Sequence, residues 1–215
     1  QTNPFLSREQ QKGRLFVFTD MVSPYNQTTS VIRNLISCNS LGHHEDWSMA
    51  PPFTAVYKKN GYHVAMYDNQ KNYDMGTLFA YSLNTYLYHP QIMDACYDET
   101  NDSTFEYDGQ LVDYYKNRQM SGEKRLILYH LLGQHVEFKY RYPEDFKHFN
   151  TDSIKFRKES WLTEDMREEI AHYDNSTRYN DYVIRQIISM YESQNTVVVY
   201  LSDHGEEVYD YRETF

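Results

Sequence analysis

Near the carboxyl end, residues 197–210 read VVVYLSDHGEEVYD, five apolar or aromatic residues running straight into serine, an acid, an imidazole and two more acids. In Asp203 and His204 a carboxylate oxygen stands beside an imidazole nitrogen, the donors that zinc or manganese takes when no thiolate is at hand. Gly205 permits the tight turn that would aim both into one cleft. The same letters also fit a solvated acidic turn, and the pair alone does not decide. Thr28 and Thr29 offer a hydroxyl nucleophile, provided a metal or base draws off its proton; otherwise they cap a helix. His135, two residues after a strand end and a glycine, fits a metal ligand, a donor to phosphate or a general acid, and equally a loop histidine. Asn69 and Gln70 could hold a substrate oxygen or simply fill a polar loop.

The elements that must carry these groups alternate. Residues 14–22 (RLFVFTDMV) are apolar enough for a buried strand, and residues 28–38 then suit a helix with Val31, Leu35 and Cys38 on one side. Residues 53–60 fit a helix closed by Gly61, and residues 62–67 a strand ending in Asp68, Asn69 and Gln70. A helix over 104–116 precedes a strand over 125–132, and a helix over 180–193 precedes a strand over 195–201. Residues 140–178 look irregular, aromatic and polar, as a surface insertion does. Such alternation predicts an α/β fold, a mostly parallel sheet with helices on both faces. In these sheets ligands gather at the carboxyl ends of the strands, which is where Thr28, Asn69, Gln70, His135, Asp203 and His204 fall.

Composition narrows the partners. With 31 acidic against 21 basic residues the chain carries a formal charge of -10, which excludes a nucleic-acid backbone and suits cations or zwitterionic substrates. The 215 residues, 40% hydrophobic and 16% aromatic, are ample for one packed domain. Cys38 and Cys96 allow one disulfide without implying it. No apolar run reaches the roughly 20 residues that cross a bilayer, and no signal peptide opens the chain.

In order along the chain, TNPFLS (2–7), VFTDMVSPYNQTTSVI (17–32), GYHVAMYDNQ (61–70), YHLLGQHVEFKYRYPEDF (129–146), HYDNSTRYND (172–181) and YLSDHGEEVYD (200–210) resemble the bacterial phosphoethanolamine transferases that decorate lipid A and related envelope glycans. Those enzymes belong to the sulfatase and alkaline phosphatase superfamily. The resemblance implies an alkaline phosphatase/sulfatase-like fold, incomplete at both ends, with residues 1–215 as part of one periplasmic catalytic domain. It implies an inner-membrane enzyme whose amino-terminal membrane helices are absent here, a phosphatidylethanolamine donor, a lipid A or glycan acceptor, and Zn2+ or Mn2+ as cofactor. Carried over by position, Thr28 becomes nucleophile and metal ligand, with Thr29 one residue away as the fallback. Asp203 and His204 become metal ligands, His135 a group near the phosphate or a second zinc, and Asn69 and Gln70 substrate-binding residues of the cleft.

The chain departs from that pattern. The family's glutamate after the first core strand, upstream of TNPFLS, is missing, as is a histidine beyond the Ser-Asp-His-Gly-Glu run. The expectation is a truncated domain, inactive alone, from an active parent. A phosphatase or phosphodiesterase of the same superfamily, or a glycan-binding relative without catalysis, are the alternatives. A sulfatase would need Cys/Ser-x-Pro/Ala-x-Arg for its formylglycine, which Cys38-Asn-Ser-Leu-Gly lacks.

Overall fold

The computed structural model describes residues 1–39, 42, 46–70, 87, 89–118, 123–154, 157 and 159–211. Its centre is a three-stranded, wholly parallel sheet in the order β2-β1-β3, with β1 at His63–Asp68, β2 at Glu99–Thr100 and β3 at Arg125–His130. Register runs from His63 opposite Arg125 to Asp68 opposite His130, so the ends of β1 and β3 are level. Every residue of β1 after His63 is buried, the signature of a parallel strand covered on both faces.

Side chains alternate across that strand. Val64 and Met66 pack with Cys96 and Tyr97 at the end of α4 (Pro90–Cys96), joined by Ala55 of α3 (Phe53–Lys59). Ala65 and Tyr67 face the other way, onto Leu111 and Tyr115 of α5 (Asp108–Tyr115). Helices therefore cover both faces, as the alternating pattern predicted. α1 (Pro4–Gln11) and α2 (Thr28–Ile36) complete the first half, α2 burying Ile32 and Ile36 against Leu87. α3 closes where expected, at Gly61 with φ +82°.

The last helix, α6, spans Glu164–Tyr191, 28 residues, and packs Tyr179, Val183, Ile184 and Ile187 against Val112 of α5. Its first half overturns the expectation of an irregular insertion over 140–178, which holds only as far as the short 3-10 turns Phe138–Tyr140, Glu144–Phe146 and Thr151–Ile154. The helix hid because much of its inward face is polar: Asn175, Ser176, Asn180 and Asp181 are all buried. Asp181 accepts from the amides of Phe5 and Leu6 (2.7 and 3.0 Å), capping α1 from a distance of 175 residues in sequence.

Two predicted strands are not strands. Residues 14–22 and 195–201 join no ladder, and several of their apolar side chains lie in solvent, Phe16 at 86% and Val197 at 89% exposure. Strand propensity reflects fit to a paired, half-buried surface, and no described residue offers either segment a ladder. Cys38 is exposed and Cys96 buried, both as free thiols. No helix among the described residues is long and apolar enough to cross a membrane.

Asn175 of α6 accepts from the amides of His148 and Phe149 (2.7 and 2.8 Å) and donates to the carbonyl of Phe149 (2.9 Å). Asn175→Ala strands those groups inside the protein and should cost about 2–4 kcal/mol in equilibrium urea denaturation. A loss under about 0.5 kcal/mol, the range of a surface substitution, would show that the carboxamide does not hold the insertion.

Candidate functional site

At the level ends of β1 and β3, His130 lies in the field of Asp203, which belongs to the turn at 202–205. Thr28 is the first residue of α2, and its Oγ1 lies 3.3 Å from His204 Nε2. Asp203 Oδ2 lies 3.4 Å from the same nitrogen. The His204 ring is oriented by its Nδ1, 2.9 Å from the Gly205 carbonyl. With Nδ1–H donating there, the Nε2 lone pair faces Thr28 and Asp203, the arrangement that histidine ligands of metals commonly show.

Hydroxyl, imidazole and carboxylate thus converge from positions 176 residues apart. An ion with four tetrahedral bonds of about 2.0–2.1 Å holds its ligand atoms about 3.3 Å apart. The separations of 3.3 and 3.4 Å are of that size, so these side chains fit zinc in both donor type and spacing. Among the described residues no three His, Cys, Asp or Glu side chains gather to hold a metal. Beside Asp203 and His204 stands one further oxygen, the Thr28 hydroxyl.

The segment around the 202–205 turn has no ladder and is anchored instead by side-chain hydrogen bonds. Asn180 donates to the Tyr200 hydroxyl at 2.7 Å. Beyond the turn, Arg157 donates to the carbonyls of Val208 and Tyr209 and bridges Asp210. Glu207, one of the acids after Asp203 and His204, accepts from the amides of Asp210 and Tyr211 (2.8 and 2.9 Å), so it braces the chain. Beside the pair opens a cleft of about 600 Å³, lined by residues 21–26 with His204 and Gly205.

His135 stands on a turn after β3, its amide donating to the Leu132 carbonyl at 3.0 Å. Burial lowers its pKa and the neighbouring Arg141 lowers it further, while the field of Asp203 pulls the other way. The imidazole therefore favours its neutral form.

Asn69 does not take the place expected of it. It is buried, its Nδ2 donating to Asp108 at 2.9 Å and its Oδ1 accepting from the Phe105 amide at 2.7 Å, so its carboxamide faces inward and holds the chain. Gln70 likewise donates to the Leu131 carbonyl at 2.7 Å, tying the end of β1 to the chain leaving β3.

Asn69 and Gln70 serve two buried acids, Asp108 and Asp68. Asp68 Oδ1 lies 3.0 Å from His130 Nδ1 across the ends of β1 and β3. Burial pulls the His130 pKa down, but Asp68, with Asp203 and Asp108 beyond it, raises it overall. Asp108 begins α5, where an acid reads as an ordinary helix start; its partners Leu132 and Gly133 are 24 and 25 residues on, and no local pattern points to them.

Residues 1–215 match the family model described as Sulfatase. The chain belongs to the sulfatase family. Among curated proteins, this sulfatase-family chain is 29% identical over 205 residues to phosphoethanolamine transferase EptC of Escherichia coli strain K12, covering 91% of the chain and 34% of that relative. It is 30% identical over 206 residues to phosphoethanolamine transferase CptA of Salmonella typhimurium, again 91% of the chain and 34% of the relative. The chain thus spans about a third of the length of these relatives. Among solved structures it superposes with TM-score 0.74 on the C-terminal periplasmic domain of EcEptC from Escherichia coli in complex with Zn, at 25% identity, over 97% of this chain and 58% of that one.

Zinc titration of the full-length protein by calorimetry should show binding that His204→Ala abolishes or weakens by more than the roughly 10–100-fold that loss of an outer partner costs. Undiminished affinity in that variant would remove His204 from the metal site.

Proposed function

We propose that the intact protein transfers phosphoethanolamine from phosphatidylethanolamine to lipid A or another envelope glycan, with Thr28 carrying the group in transit. The observation that carries this reading is the convergence of Thr28 Oγ1 on His204 Nε2 and Asp203 at the amino end of α2. The names of the relatives, phosphoethanolamine transferases, supply the transferred group. The solved periplasmic domain of EcEptC favours a site on the periplasmic side of the bacterial inner membrane.

Thr28, Asp203 and His204 would hold the metal, zinc being favoured by the Zn complex of the structural relative. When bound, it supplies a Lewis acid that lowers the pKa of a coordinated hydroxyl. Thr28 Oγ attacks phosphorus; the Oγ–P bond forms, the bond from phosphorus to the diacylglycerol oxygen breaks, and the hydroxyl proton ends on that leaving oxygen. An acceptor oxygen then attacks the phosphothreonine, its O–P bond replaces Oγ–P, and Thr28 regains a proton.

The protein's own groups serve both steps. The positive amino end of α2 faces charge developing on the phosphoryl oxygens. His135, kept neutral by burial and Arg141, suits hydrogen-bond donation to one of those oxygens. The cleft beside His204, with the apolar Met21 and Val22 and the polar Ser23 and Asn26 in its wall, gives a zwitterionic headgroup room to lie.

Mass spectrometry of the full-length protein incubated with phosphatidylethanolamine tests this. A phosphoethanolamine adduct should sit on the peptide bearing Thr28 and vanish in Thr28→Ala; an adduct that survives would move the nucleophile elsewhere. Free phosphoethanolamine released to water with a lipid A acceptor present, and none transferred, would replace the transferase with a hydrolase.

A further inference from the structure

His135 sits on a backbone held at both ends by a buried ion. Upstream, the amides of Leu132 and Gly133 donate to the two oxygens of Asp108 at 2.9 and 2.8 Å, where Asn69 Nδ2 also donates at 2.9 Å. Downstream, Arg141 Nε donates to the carbonyls of His135 and Val136 at 3.2 and 3.1 Å, and its Nη2 donates to Val136 at 2.8 Å. Between them the chain turns at Gly133, whose φ of +55° is left-handed. An anion takes the amides entering the turn and a cation takes the carbonyls leaving it.

Burying such ions is costly. Asp108 is 4% exposed and Arg141 7%, and each desolvated charge costs several kcal/mol that a direct ion pair normally offsets. Both hydrogen-bond the peptide groups on either side of the histidine. Asp108 lies in the field of His130, and Glu137 Oε2 lies 4.0 Å from Arg141 Nη2. Losing either ion would leave buried peptide groups without partners, so both also stabilise the turn. What the ions add is direction, because a carboxylate and a planar guanidinium each fix where two backbone groups must point.

We propose that Asp108 and Arg141 are positioning residues that set His135 at the Thr28 site. Asp108 extends the same hold to the end of β1, since its bond to Asn69 joins the chain leaving β1 to the chain leaving β3. The site's two strand ends are thereby locked to one carboxylate at the start of α5. The proposal rests on His135 acting in the transfer reaction.

The test is a double-mutant cycle in the full-length enzyme, with phosphatidylethanolamine and a lipid A acceptor, measuring kcat, KM and thermal midpoint. Asp108→Asn keeps the shape but turns an N–H toward an amide donor. It should lower kcat by on the order of 10–100-fold, the cost of a reacting group displaced by about an ångström, with KM within about twofold. In a His135→Ala background the same change should cost less than about twofold further, because its effect passes through the missing imidazole. If Asp108→Asn does not fold, Arg141→Lys, which keeps the charge and loses the fork, carries the same cycle. Losses that simply multiply with that of His135→Ala, or an unchanged kcat in the clamp variants while His135→Ala is impaired, would overturn the proposal and leave His135 in place. Full activity in His135→Ala would overturn both.

Discussion

A helix that buries carboxamide, carboxylate and phenol groups must find them partners, because each left unpaired in the interior costs 1–3 kcal/mol or more. In this protein the partners of α6 are four different pieces of chain. Asn175 takes the backbone at His148 and Phe149, Tyr179 the amide of Gly109 at 3.0 Å, Asn180 the hydroxyl of Tyr200, and Asp181 the first amides of α1. The motif HYDNSTRYND is therefore a set of attachment points. Through it the insertion, the start of α5, the segment before Asp203 and the amino terminus are each held to one rigid rod.

That arrangement explains how segments without sheet pairing deliver a site. The sheet fixes the ends of β1 and β3, and Asp68, Asn69, Gln70 and Asp108 bind those ends to each other. The turn bearing Asp203 and His204 is held to α6 through Tyr200 on one side and to Arg157 on the other. Side-chain hydrogen bonds here perform the positioning that a ladder would otherwise give. The outcome is a hydroxyl 3.3 Å from an imidazole nitrogen and a carboxylate 3.4 Å from the same atom, a spacing a tetrahedral cation can fill.

How far the sequence could be read follows from the range of each interaction. β1, β3, α2 and α3 were legible because an apolar run, a period of 3.6 or a glycine stop is local. The start of α6 was not, since its buried stripe is polar, and α1 and α4, of 8 and 7 residues, are too short for the period to speak. Residues 14–22 and 195–201 have the composition of strands but meet no ladder among the described residues. For the site, Asp203, His204 and Thr28 were suggested by residue type and by resemblance, while their meeting across 176 positions could not be. Asn69 was misplaced for the same reason: its partners at Phe105 and Asp108 lie 36 and 39 residues on, and only in space is its carboxamide seen to be occupied.

The proposed transfer depends on Thr28, Asp203 and His204 holding one metal ion. Crystals of the full-length protein soaked in zinc, with diffraction recorded above and below the zinc absorption edge, test it most directly. The account predicts an anomalous peak bonded to Thr28 Oγ1, Asp203 and His204 Nε2. Zinc bound elsewhere, with that triangle of donors vacant at full occupancy of the other site, would contradict it.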